Sequence, residues 1–358
     1  MPLPRHAVIL AAGESTRTRP LTLQRPKPLI PLLDRPLLAH ILDELVGIVE
    51  RVTLVVGYRA DQVVAAFGAE YRGMQLRYMR QTVVNGTAGA LLAAAPIDEP
   101  FFLLYGDNLV AREDIVGVAQ GRYGVAGLPV ADARTFGVLQ IEHGSVVGIL
   151  EKPADPPPNA LANLGIYCFD AAVFPLLAQI APSPRGELEL TDLIGALAAT
   201  NPVHPHVCTG YWVPVGNPWE ALAAAQFLAA RHNASQCYIH PSAQIHPSAQ
   251  IVGPSVIGPN VIIEANAIIN ASVLTQGVTV CTGAVVSASW LDEGAKVGAE
   301  AVLHAMHRDE LQPSAELRGT LKRATLITRG AIVGHQATVS AEAQVAAGSI
   351  VGAAHGSG

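Results

Sequence analysis

Cysteine is rare in this chain and scattered. Cys168, Cys208, Cys237 and Cys281 form no C-x-x-C pair. Metal-site spacing is therefore absent from the sequence, and so sparse a set reads as reduced, mostly buried thiols in a cytoplasmic protein. Charge is sparse as well, at 15% of residues, and the net charge is −6. Without a basic excess there is nothing to hold a nucleic-acid backbone. No apolar run approaches the roughly 20 residues needed to cross a bilayer. The start, Met1 to His6, carries charge but no apolar signal region. The reading is a protein with neither nucleic acid nor membrane as partner. Lysine is the scarcest charge, at four residues against nineteen arginines, and two of the four, Lys27 and Lys152, fall inside the motifs below. An ammonium and a guanidinium fork are not interchangeable at phosphates, so that placement carries meaning.

What the chain does have is length and apolar residues. With 358 residues, half of them hydrophobic, it exceeds one ordinary domain, can bury a large core and is not disordered throughout.

Two halves carry two different periods. In residues 1–232, the run His6–Ala12 is short, continuous, apolar and closed by Gly13, the profile of a buried parallel strand. A helix follows over Leu37–Val49, a strand over Val52–Val56 and a helix over Ala60–Phe67. Gln75–Met79 reads as a strand, Ala88–Ala95 as a helix, and Phe101–Tyr105 as a strand ending at Gly106-Asp107. Strand and helix alternating in this way predict an α/β doubly wound, Rossmann-like sheet. Ligands of such sheets bind beyond the carboxyl ends of the strands, where Gly13 and Asp107 fall.

Beyond the polar linker Ala230–Gln236 the period becomes six. Ile239, Ile245, Ile251, Ile257, Ile263 and Ile269 are followed, after a one-residue slip, by Leu274, Val280 and Val286, then by Leu291, Val297 and Leu303. Leu311, Leu317, Leu321, Ile327, Val333, Val339, Val345 and Val351 extend the series. A six-residue repeat is neither a helix nor a β-alternation. It is one face of a triangular coil, and it predicts an all-β left-handed parallel β-helix of hexapeptide repeats over 237–352, about six coils, with a tail at 353–358. The segment His304–Pro313 is expected to leave the coil as a loop.

The chemistry lies in the first half. The opening motif runs Leu10-Ala11-Ala12-Gly13-Glu14-Ser15-Thr16-Arg17-Thr18-Arg19-Pro20-Leu21-Thr22, followed by Pro26-Lys27-Pro28. A glycine-bearing loop directly after a first strand lets backbone N–H groups approach phosphates closely. Arg17 and Lys27 supply the fixed positive charge that a triphosphate needs.

In these residues the chain resembles the sugar nucleotidyltransferase family, including the glucose-1-phosphate thymidylyl- and uridylyltransferases, whose signature runs L-A-A-G-x-G-T-R-L-x-P-L-T…P-K-P. The resemblance extends through the entire first half, with Ser15 at the third motif glycine and Thr18 at the usual Leu. It implies nucleotide binding by Leu10, Ala11, Ala12, Gly13, Glu14, Gln81, Gly86, Thr87 and Gly106. Gln81 stands in the family's base-reading segment, five residues before Gly86-Thr87-Ala88-Gly89. A carboxamide offers one donor and one acceptor, which fits the N3–H and O4 edge of uracil or thymine and favours UTP or dTTP. Asp107 resembles the magnesium ligand, Mg2+ being the implied cofactor. Gly137, Glu151, Lys152, Asn163 and Gly165 resemble the sugar side: Glu151 would accept sugar hydroxyls, Lys152 would bind the sugar's phosphate, and the others would line the hexose. Gly186 to Asp192 also matches, with Thr191 and Asp192 expected near the sugar pocket.

One departure stands out. The family's G-Y-W-x-D-V-G-x-P run, whose Asp is the second metal ligand, reads Gly210-Tyr211-Trp212-Val213-Pro214-Val215-Gly216-Asn217-Pro218 here. Pro214 offers no side-chain ligand. The implied reaction joins an NTP to a hexose 1-phosphate with loss of pyrophosphate, Arg17, Lys27, Asp107 and Lys152 being the catalytic set. Two other readings stay open: a non-catalytic sugar-nucleotide-binding regulatory subunit, and a bifunctional enzyme whose β-helix transfers acyl groups through His304, His307 or His335. Related β-helices associate through their flat faces, so a homo-oligomer is expected, a trimer first. The hexose is not readable from single-sequence motifs.

Overall fold

A computed structural model describes residues 2–184, 186–306 and 329–352. They form two compact units. The first takes its described residues from 2–14 and 38–212, the second from 15–37, 213–306 and 329–352.

The first unit is built on a mixed sheet. Its parallel centre is β1 (His6–Ala11), β2 (Arg51–Val56), β3 (Met74–Arg80) and β4 (Phe101–Tyr105). β1 pairs in parallel with β2 on one side and β4 on the other, and β2 pairs with β3. The chain thus winds outward from β1 to β3 and then returns to its other edge, which makes the β1/β4 boundary the topological switch point. Ala7, Val8 and Ile9 are wholly buried, as a strand covered on both faces requires.

The helices between these strands fall where the apolar periodicity places them, with trimmed ends. α1 (Leu37–Leu45) stops short of Val49 because Gly47 takes a left-handed φ of 76°, the usual conformation just past a helix end. α2 spans Ala60–Phe67. α3 (Thr87–Ala93) ends before Ala95, which precedes Pro96 and is thereby biased away from helix. The chain continues with α4 (Arg112–Gly117), β5 (Gly124–Pro129), β6 (Gly137–Glu142), β7 (Ser145–Glu151), β8 (Leu161–Phe169), α5 (Leu190–Ala198) and β9 (His204–Val207). β8 lies antiparallel to β4 and carries β6 and β7 beyond it. Leu91, Phe101, Leu103, Tyr167, Phe169, Leu193 and Ile194 belong to one buried cluster, which joins α3 and α5 to the sheet.

In the second unit the six-residue period resolves into three parallel sheets of six, five and five strands, a parallel β-helix. Its inward columns are the aliphatics of the repeat. Ile239, Ile257, Leu274, Leu291, Val333 and Val351 stand in one column; Ile245, Ile263, Val280, Val297 and Val339 form the second. Ile251, Ile269, Val286, Leu303 and Val345 make the third. Leu291 pairs directly with Val333 and Leu303 with Val345, so the columns close without Leu311, Leu317, Leu321 or Ile327, which lie outside the described residues. The expected loop from His304 is flanked by an antiparallel bridge between Met306 and Arg329.

The one-residue slip has a structural counterpart. Ser255, Ser272 and Ser289 are fully buried at one corner, and each hydroxyl accepts a backbone N–H from the next coil: Ser272, Ser289 and Ala331 in turn, at 3.2, 3.1 and 2.9 Å. A buried N–H must find an acceptor, and the serine ladder supplies it where the shortened corner does not.

Residues 15–37 and α6 (Pro218–His232) belong to this same unit. Gln226 of α6 is buried and donates to Ala271 O at 2.6 Å, and Trp219 Nε1 donates to Gly330 O at 3.2 Å.

Candidate active site

The switch point brings together Leu10–Glu14 and Gly106–Asp107, which the signature assigns to the nucleotide side. Leu10 and Ala11 end β1, Ala12 follows it buried, and Gly13 and Glu14 continue on the exposed surface. Two glycines let neighbouring chain close on this turn. A Cβ at Gly106 would stand 2.8 Å from Leu10 O and 3.0 Å from Ala11 Cβ, and one at Gly57 would stand 2.4 Å from Ala12 O. The two contacts with carbonyl oxygen, 2.8 and 2.4 Å, are too short for any side chain. Gly106 N–H donates to Leu10 O at 2.9 Å, and Tyr58 N–H donates to Ala12 O at 3.2 Å. The turn is thus fixed from both flanks. Asp107 stands half-buried just beyond β4.

Gln81 follows β3 and is buried, with its backbone N–H on Val56 O at 2.9 Å. Its side-chain Nε2 donates to Asn85 Oδ1 at 3.2 Å and to Gly86 O at 3.3 Å. The loop it braces is tightly made. Gly86 has φ 102°, and a Cβ there would lie 2.4 Å from Leu188 O. Leu188 N–H donates to Asn85 O at 2.7 Å, Ala88 N–H to Leu188 O at 2.9 Å, and Leu190 N–H to Thr87 Oγ1 at 3.1 Å. The Gly186–Asp192 segment therefore serves to hold the Gly86–Thr87 loop. Asp192 is exposed and borders a separate hollow with Leu176, Ile180 and Ser183. Burial, then the Glu189 carboxylate, raises its carboxyl above the ordinary range.

On the sugar side, Gly137 pairs with Glu151 across β6 and β7. A Cβ on Gly137 would lie 3.1 Å from Glu151 Oε2 and 3.7 Å from Asn163 Cβ, so these three residues converge. Asn163 Oδ1 accepts Gly165 N–H at 3.2 Å, and its Nδ2 donates to Tyr167 OH at 2.7 Å. Gly165 has φ 73°, and a Cβ there would enter the Tyr105 ring at 2.3 Å. Lys152 is half-exposed, 3.9 Å from Glu151 Oε1, and holds a left-handed φ of 47° although Pro153 follows it. That conformation is uncommon for a non-glycine residue.

Two tyrosines adjoin this cluster, Tyr167, which closes the Asn163–Tyr167 run of the sequence, and Tyr105; the motifs gave neither a role. Tyr105 OH and Tyr167 OH lie 3.4 Å apart, which extends the Asn163 hydrogen bond into a chain. Burial pushes the Tyr167 hydroxyl up to about 12 and Tyr105 well above its ordinary value, so both remain neutral donors. Their signal in the sequence is faint, since a Tyr within an apolar strand reads as core.

The second unit holds the other charged members of the motif. Arg17 is exposed in a short 3-10 turn, Thr16–Thr18, and Lys27 is buried at the start of another, Lys27–Leu29. Ser15, at the signature's glycine position, adopts φ 57° and ψ 45°. Its carbonyl accepts Thr18 N–H and Thr22 Oγ1, both at 3.0 Å. Pro214 ends the strand Trp212–Pro214. Among the described residues, one group of three metal-binding side chains comes together, Asp114, His206 and Cys208, and Asp107 is not part of it. A single carboxylate still fits a hard divalent ion, because magnesium takes one or two carboxylates and fills its shell with phosphate and water.

Comparisons with known proteins agree with this architecture. The model of the nucleotidyl transferase family matches residues 6–231, and that of the GMPPB C-terminal domain matches residues 233–352. The bifunctional protein GlmU of Methanocaldococcus jannaschii is 35% identical over 229 residues, which cover 63% of this chain and 55% of that protein. This chain thus spans about half the length of the GlmU relatives it matches. The UTP–glucose-1-phosphate uridylyltransferase AglF of Haloferax volcanii is 33% identical, covering 62% of this chain and 96% of its own length. A glucose-1-phosphate thymidylyltransferase of Streptomyces griseus is 37% identical, covering 60% and 64%. The crystal structure of a UDP-glucose pyrophosphorylase complexed with UDP-glucose shares the fold, with TM-score 0.58 and 23% identity over 64% of this chain and all of that one. With a glycine-flanked turn at the switch point and a family model matched across 6–231, the chain belongs to the nucleotidyl transferase family.

Proposed function

We propose that this protein transfers a nucleotidyl group from an NTP to a hexose 1-phosphate, releasing pyrophosphate. The observation that carries the reading is the turn Leu10–Glu14, clamped between Gly57 and Gly106 with Asp107 at the adjacent strand end. The incoming phosphate is already anionic, so no side-chain nucleophile or base is needed, and catalysis consists of positioning and charge neutralisation. The turn's backbone N–H groups face the phosphates, and Gly86–Thr87 and Gln81 face the base. Arg17 and Lys27 neutralise the triphosphate, a role that rests on the signature in which they stand. Lys152 steers the incoming phosphate, while Glu151, Asn163 and the Gly137 and Gly165 backbone border the hexose. Asp107 would hold Mg2+, which supplies charge neutralisation at the reacting phosphates when bound.

UTP and dTTP remain the favoured donors, with a refinement from the structure. Gln81 Nε2 is committed to Asn85 and Gly86, so its carbonyl is the atom that would accept the N3–H of uracil or thymine.

Pro214 favours a second reading, a regulatory subunit that binds sugar nucleotides without turnover. The test is pyrophosphate release with Mg2+ across several NTPs and hexose 1-phosphates. Release that requires both substrates and prefers UTP or dTTP supports the transferase. Nucleotide binding without release from any pair would replace it with the regulatory reading. For the β-helix we favour assembly and regulation over acyl transfer. His304 Nε2 already lies 2.6 Å from Gln344 Oε1, whereas Val252, Ile262 and Ile350 leave apolar surface on the coils. The exposed aliphatics support a homo-oligomer, a trimer first, and light scattering on the purified chain would test it.

A further inference from the structure

Away from the phosphate turn, α4 and the end of β9 bring together a carboxylate, an imidazole and a thiol. Asp114 and Cys208 are buried, 2% and 4% exposed, and the His206 side chain is 16% exposed. The ligand atoms of the three all lie within 4.8 Å of one another, and His206 Nε2 stands 3.0 Å from Asp114 Oδ1. His206 and Cys208 are two residues apart, so the strand turns both to one face.

The cluster is built, and each member has a reason for its position. Thr209 N–H donates to Asp114 Oδ1 at 3.0 Å and Gly210 N–H to Oδ2 at 2.9 Å, which fixes the carboxylate plane. A carboxylate has about four lone-pair sites, so these two bonds leave it able to bind further. The imidazole lies against α4 only because residue 117 is glycine. A Cβ there would meet the ring at 2.2 Å from Cε1 and 2.4 Å from Nε2. Gly210 is required as well, since a Cβ there would stand 2.7 Å from Asp114 Oδ2 and 2.8 Å from Glu113 Oε1.

We propose that Asp114, His206 and Cys208 form a site for a divalent transition-metal ion, zinc first, that staples α4 to the Thr209–Trp212 run. The donor set of one oxygen, one nitrogen and one sulfur suits zinc, whose bonds of about 2.0–2.3 Å put tetrahedral ligands about 3.3–3.6 Å apart. The 3.0 Å from His206 to Asp114 already matches that spacing to within a few tenths of an ångström. Charge balances as well: a thiolate and a carboxylate carry two negative charges against two positive ones, which makes burial of the ion tolerable. On binding, Cys208 loses its thiol proton to solvent, the ring proton that His206 Nε2 shares with Asp114 gives way to the ion while Nδ1 carries the remaining ring proton, and the two backbone N–H bonds keep the carboxylate aligned. Water takes the fourth position, with Glu113 nearby. Sequence spacing conceals the site because Asp114 lies far from His206 and Cys208 along the chain. The proposal does not depend on nucleotidyl transfer.

The test is a titration of the full chain, stripped of metal by chelator, with Co2+ followed by absorption, and then with competing Zn2+. The expected result is a thiolate-to-cobalt charge-transfer band saturating at one equivalent, displaced by Zn2+, together with a Zn2+-dependent rise in Tm. Cys208→Ser should abolish the band and His206→Gln should weaken binding at least 10-fold, while Cys281→Ser should leave both unchanged. No band in the wild-type chain, or a band that survives Cys208→Ser, would overturn the proposal. In the first case the cluster is an Asp–His cap only. Should a variant fail to fold, the wild-type titration still decides.

Discussion

Arg25 Nη1 lies 2.7 Å from Asp292 Oδ1, joining the signature segment to a β-helix coil across 267 residues of sequence. Both side chains are withdrawn from water, Arg25 at 12% and Asp292 at 2% exposure, and Glu293 adds a second contact to Arg25 at 3.1 Å. Arg25 stands two residues before Lys27, so the coil beside Leu291 supports the segment that carries this lysine.

Breaking a buried pair by deleting one partner costs about 3–5 kcal/mol, because the other charge stays behind unpaired. Asp292→Ala should therefore destabilise the chain by about that much. Arg25→Met combined with Asp292→Leu should recover most of the loss. Urea unfolding of the single and double variants measures this, and additive losses would refute it.

Ser15 holds a left-handed conformation that costs a non-glycine residue roughly 1–2 kcal/mol. Glycine avoids that strain but gives back about 0.4–1 kcal/mol through its freer unfolded chain. Ser15→Gly is thus expected to gain about 1 kcal/mol or less, read as a small rise in Tm. A clear loss of stability would mean that the serine hydroxyl makes a contact worth more than the strain.

Gly165→Ala would drive a methyl into the Tyr105 ring at a φ of 73°. The Asn163–Tyr167–Tyr105 chain must then shift. The expected outcome is at least a 10-fold rise in KM for the hexose 1-phosphate with little change in KM for the NTP. Equal rises in both would place Gly165 outside the sugar side.

Asp107→Asn keeps the shape of the strand end and removes its charge. Turnover should fall about 100-fold or more, several kcal/mol of lost charge stabilisation, with a weaker response to added Mg2+. Unchanged Mg2+ dependence in steady-state assays would exclude Asp107 as the ion's ligand.

His6 opens β1 in a buried position, with Nε2 2.9 Å from Thr53 Oγ1 and Nδ1 3.0 Å from Glu99 Oε1. Burial lowers its pKa below 6.5; Glu99 partly offsets this, while Arg51 and Arg77 lower it further. The sign follows directly. Above about 6.5 both folded and unfolded chains hold the residue neutral, and its contribution is complete. As pH falls below that value the unfolded chain takes up the proton first, so stability is lost until the folded value is passed. Urea unfolding at pH 7.5 and 5.5 should show a smaller pH dependence for His6→Asn than for the wild type.

Much of this was legible in the residues themselves. The six-residue period named its columns, because an inward aliphatic can recur at that spacing only by stacking on the coil below, as Ile257, Leu274 and Leu291 do. Likewise β1 and β4 were visible as short apolar runs closed by glycine, and the glycine-bearing turn as the motif that follows β1. Other features depend on partners that sequence distance hides. Whether Gly57, Gly106 or Gly86 is required is decided by carbonyls contributed from elsewhere in the chain. The serine ladder answers N–H groups one coil away, and the Tyr105–Tyr167 chain exists only where β4 meets β8. Periodicity is a local property and survives in one dimension, whereas steric fit and hydrogen-bond satisfaction are properties of neighbours that only the folded chain assembles.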